Sequence, residues 1–86
     1  MEIDPIKYLN LFKHTIDKDG FITVNEDFGC SGEGLTKLPW KFKEIKGTFD
    51  CSHNNLKTLD YLPEIGGKLY FDHNPLLPEE IALYNL

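Results

Sequence analysis

At 86 residues and a net charge of −5, the chain has room for one small domain and is poorly suited to a phosphate backbone. All nine basic residues are lysine, so the bidentate guanidinium that commonly reads base edges is missing, and no nucleic acid is expected as a partner. A hydrophobic content of 41% argues against disorder, while no apolar run reaches the roughly 18 residues that span a bilayer, so no membrane insertion is expected.

Asp4-Pro5 reads as a helix start, with Asp as N-cap and Pro at the first helical position. Ile6, Leu9, Phe12 and Ile16 follow at helical spacing, and Tyr8 and Leu11 widen the apolar face. The spacing predicts a helix from Pro5 to Ile16 inside an N-terminal cap of residues 1–18. Asp17-Lys-Asp-Gly20 stops it and turns the chain into Phe21-Ile-Thr-Val24, a β-branched run that reads as a strand or hairpin entry.

Beyond this point the chain repeats. Phe49-Asp-Cys-Ser-His-Asn54 lies over Leu69-Tyr-Phe-Asp-His-Asn74 at an offset of 20, and over Phe28-Gly-Cys-Ser-Gly-Glu33 at an offset of 21. A period near 20 residues suits one strand, one turn and one return segment, stacked on copies of itself. The units run over 27–46, 47–66 and a truncated 67–77. Alternation points Phe28, Cys30, Phe49, Cys51, Leu69 and Phe71 inward, and Thr48, Asp50, Ser52, Lys68, Tyr70 and Asp72 outward. Asn54 and Asn74 recur where the chain leaves each strand, where an inward amide can replace lost ladder partners. The return segments Pro39–Ile45 and Asp60–Ile65 should be extended or short helical turns, since Pro39 and Pro63 oppose long helices. Pro78, followed by Glu79 and Glu80, starts a C-terminal helix that caps the stack over 78–86. The expected fold is thus a single-domain α/β repeat. It would be a small leucine-rich-repeat-like solenoid, with a short parallel sheet between an N-terminal helix and a short C-terminal helix.

Gly-x-Phe-x-Cys-Ser-x-Asn-x-Leu-x-x-Leu, as Gly47 to Leu59, resembles the leucine-rich-repeat pattern. With Leu35-Thr-Lys-Leu-Pro39, Phe42 and the lead-in Asp19–Val24, it is similar to units of short leucine-rich-repeat proteins encoded by tailed bacteriophages and some bacteria. The resemblance spans residues 19–77. It implies a parallel-stranded stack whose strand face binds another macromolecule, usually a protein. The chain is shorter than a broad horseshoe requires, with about two and a half units.

Chemistry-bearing clusters are few. Thr15 to Glu26 overlays a twelve-position calcium loop, with Asp17, Asp19, Gly20 and Glu26 in register. Thr15 replaces the first carboxylate and no exiting helix follows, so a polar helix stop is the preferred reading. His53 and His73 recur in register beside Cys51, Asp50 and Asp72, but in a site built from Cys51, His53 and His73 the inward thiol and the turn histidines converge poorly, and two solvated histidines are preferred to a metal site. Cys30 and Cys51 read as buried structural thiols, like Asn54 and Asn74 structural rather than functional. No nucleophile elbow, phosphate loop or pair of buried acids occurs.

The chain is therefore expected to be no enzyme and to need no cofactor. It should bind another protein through Thr48, Asp50, Ser52, Lys68, Tyr70 and Asp72, with Trp40, Tyr61 and Tyr84 as a secondary surface if exposed. The last strand, as an edge, could also pair into a homodimer. The role expected is a small regulator or inhibitor, of the kind that includes phage lysis-inhibition antiholins and antagonists of host defence. The alternative is a calcium- or transition-metal-binding protein. With no signal-peptide pattern, the expected location is the cytoplasm, that of the host for a phage product.

Overall fold

The computed structural model describes residues 3–59, 62–76 and 78–79. Asp4 caps α1 (Pro5–Leu9) by accepting the Ile6 and Lys7 amides at its carboxylate, and Leu9 is the one buried residue of that helix. The chain then turns through Asn10 into β1 (His14–Ile16), which pairs antiparallel with β2 (Ile22–Val24). The Asp17 carboxylate closes this hairpin by accepting the Asp19 and Phe21 amides, and Gly20 takes a φ of 84° that L side chains avoid. The strands that follow are β3 (Phe28–Gly29), β4 (Phe42–Ile45), β5 (Phe49–Asp50), β6 (Glu64–Ile65) and β7 (Leu69–Tyr70).

These strands form two sheets. One has the order β1-β2-β4-β6, with the last three parallel and Val24, Ile45 and Ile65 in register. The other, β3-β5-β7, is parallel and sets Phe28, Phe49 and Leu69 side by side. The core lies between them. Phe28 meets Trp40 and Phe42 edge-on at 5.0 and 5.2 Å, and Phe12 packs on it at 4.4 Å. Val24, Ile45, Phe49, Cys30, Cys51 and Leu56 are fully buried around these rings.

This architecture corrects the expected fold class. In place of a solenoid built on one short parallel sheet beneath a long helix, the described residues form a small α/β fold with two sheets, one of them mixed, and the short helix α1. Two local preferences explain the difference. Helical spacing of Ile6, Leu9, Phe12 and Ile16 does not carry the helix through Ile16, because Ile6 and Ile16 are exposed at 73% and 57% and gain no burial from it. Residues 14–16 instead supply ladder partners to β2. The return segments form β4, which pairs with β2, and β6, which pairs with β4; Phe42 and Ile45 point into the core while Lys43 points out. The C-terminal helix expected over 78–86 lies outside the described residues, apart from helical Pro78 and Glu79.

Candidate functional site

The outer face of β3-β5-β7 carries three rows of side chains. Asp27, Thr48 and Lys68 form the first, Gly29, Asp50 and Tyr70 the second, and Ser31, Ser52 and Asp72 the third. Strand alternation puts them there because Phe28, Phe49 and Leu69 occupy the inner face.

Several of these groups are tied to one another. The Asp27 carboxylate accepts the Thr48 amide at 2.8 Å, and the Thr48 hydroxyl accepts the Lys68 amide at 3.2 Å. Ser52 donates its amide and hydroxyl to Asp50 at 3.0 and 2.6 Å, and its hydroxyl lies 3.2 Å from that of Ser31. Ser52 is consequently buried, which removes it from the surface expected of it. Thr48 and Asp50 are half-buried, whereas Lys68, Tyr70 and Asp72 are exposed. The presentable group is Asp50, Lys68, Tyr70 and Asp72.

Of the secondary surface, Trp40 is corrected: it is buried at 3% exposure, with its indole Nε1 donating to the Pro5 carbonyl at 2.9 Å. Packing against Phe28 and Phe42 holds it inside. Tyr61 and Tyr84 lie outside the described residues.

The turn amides have a full set of partners. Asn54 Oδ1 accepts from Glu33 and Leu35, and its Nδ2 donates to the carbonyls of Cys30, Cys51 and Ser52. Asn74 does the same one unit on, accepting from Leu56 and donating to Cys51, Phe71 and Asp72. Both thiols are free and buried. Burial pushes Cys51 up to about 12 and Cys30 higher still.

Beside these turns the chain brings together a group that the sequence did not single out as a set. The His53 and His73 rings stack at 4.2 Å, 10° from parallel, and the Asp72 carboxylate lies 2.8 Å from His73 Nδ1. The hydrogen bond from His73 holds Asp72 below the usual carboxylate range. Among the described residues this is the one trio of His, Cys, Asp or Glu side chains with ligand atoms close enough to share an ion. Cys51, the third member considered from sequence, points inward to the Tyr70 carbonyl. In the segment that overlays a calcium loop, Asp17 Oδ1 accepts the Asp19 and Phe21 amides of the hairpin turn.

A cleft of about 180 Å³ beside Pro5, Glu33 and Lys37 is smaller than a usual small-molecule site. No helix among the described residues is long and apolar enough to cross a membrane. No family model, curated protein or solved structure matches the chain.

Proposed function

We propose that the chain is a non-enzymatic protein-binding module that docks one partner through the outer face of β3-β5-β7. The observation that carries this reading is Tyr70. Among the described residues four large apolar side chains are exposed; Ile6, Leu11 and Ile16 lie in the N-terminal segment, and Tyr70 alone stands on the sheet face, 44% exposed. A rigid aromatic loses little rotamer entropy on binding and buries a large area, which is why such residues anchor interfaces. Asp50, Lys68 and Asp72 surround it with both signs of charge, the polar rim such an anchor requires.

The resemblance of Gly47–Leu59 to short phage repeat units supports a role as a small phage or bacterial regulator or inhibitor. An antiholin and an antagonist of host defence both fit that class, acting in the host cytoplasm. The test is capture of a partner from bacterial lysate by immobilised protein. Tyr70→Ala should reduce recovery of the captured protein by about tenfold or more, with circular dichroism unchanged. Capture that survives this substitution would remove the strand face as the site.

A further inference from the structure

We propose that His53, His73 and Asp72 form a binding site for a borderline divalent transition-metal ion, zinc being the type ion. The two histidines occupy the same turn in successive units, and both take left-handed backbone angles, with φ of 55° and 58°. That conformation is uncommon outside glycine. Here each is followed directly by an inward Asn that fixes the bend. The His53 amide donates to the Asp72 carbonyl at 3.0 Å, which sets the two turns at one height. Both imidazoles therefore leave the backbone in the same direction and lie face to face. In the preceding unit Gly32 takes the corresponding position, where an added Cβ would meet nothing within 4 Å, so the free face of His53 has no side chain above it.

One ligand atom from each of the three side chains lies within 4.8 Å of the others. Atoms sharing a tetrahedral zinc at bond lengths of about 2.0–2.2 Å sit about 3.5 Å apart, so the trio must close by about 1 Å. The rings lie 10° from parallel with centroids 4.2 Å apart, and rotation of one exposed imidazole about its broad terminal torsion is the movement needed to turn a nitrogen of each toward a common ion. Two imidazole nitrogens and one carboxylate suit zinc, nickel or copper. Calcium and magnesium, which take six or more oxygens, find one carboxylate here. The three protein ligands leave the fourth position of a tetrahedral ion to water.

Calorimetric titration of the full chain with Zn²⁺ tests the site. Uptake of one ion per chain is expected, with a rise in the thermal unfolding midpoint. His53→Asn and His73→Asn should each weaken binding by about tenfold or more and abolish that rise. Asparagine tolerates left-handed backbone, so both variants should keep the wild-type circular dichroism spectrum. Asp72→Asn should weaken binding by a smaller factor, and His14→Asn, on β1, should leave it unchanged. Absence of zinc uptake at millimolar ion, or an affinity that neither His53→Asn nor His73→Asn alters, would overturn the proposal.

Discussion

Asn54 is the residue on which the turns depend most. One buried amide, 6% exposed, serves two backbone donors and three backbone acceptors drawn from two successive units. Truncating it strands those groups away from water, and each unsatisfied buried group costs about 1–3 kcal/mol. Asn54→Ala should lower unfolding stability by about 3 kcal/mol in a urea titration, a large part of the roughly 5–10 kcal/mol that holds a domain of this size. The recurrence of Asn54 and Asn74 was legible in the sequence because both face the same bend. The burial of Ser52 was not, since alternation assigns a direction but says nothing of a neighbouring carboxylate that folds the side chain back.

At the scale of elements, the parallel register of β3, β5 and β7 follows from the repeat spacing of Phe28, Phe49 and Leu69. The sequence extends α1 past Leu9 because apolar spacing at Ile6, Leu9, Phe12 and Ile16 fits a helix equally well whether or not anything covers it. The competing hairpin signal, Asp17–Gly20 between two β-branched runs, lay in plain view. For the return segments the sequence leaves extended structure and helical turns both open, because strands of two to four residues give too little alternation to decide between them. Gly47 shows how closely the units approach. A Cβ there would meet the Asp27 backbone nitrogen at 2.7 Å and Cα at 2.9 Å, neither of which can swing aside. Gly47→Ala should cost about 1–3 kcal/mol. Gly29→Ala, where a Cβ meets nothing within 4 Å, should stay within about 0.5 kcal/mol of wild type. Chemical denaturation of both variants checks the contrast.

For the molecule as a whole, the two stacked sheets enclose both thiols and thereby couple global stability to alkaline pH. Unfolded thiols ionise near pH 8.5, while burial raises Cys51 to about 12 and Cys30 above it. A raised acid is stabilised in its neutral form by the fold. Its contribution is complete below about pH 8.5 and is lost as pH climbs toward about 12, because only the unfolded chain then releases protons. The urea midpoint should therefore fall between pH 8 and pH 10, and Cys51→Ala should reduce the slope of that fall. Equal slopes in the two proteins would assign the alkaline loss to other groups.

The indole–carbonyl bond between Trp40 and Pro5 has an optical consequence. Trp40 is the sole tryptophan of the chain, and its ring is sealed from water while its N–H grips the first turn of α1. Its emission is therefore a private reporter on the seating of the N-terminal segment. A red shift without loss of the far-ultraviolet signal would register that segment lifting away before the sheets come apart.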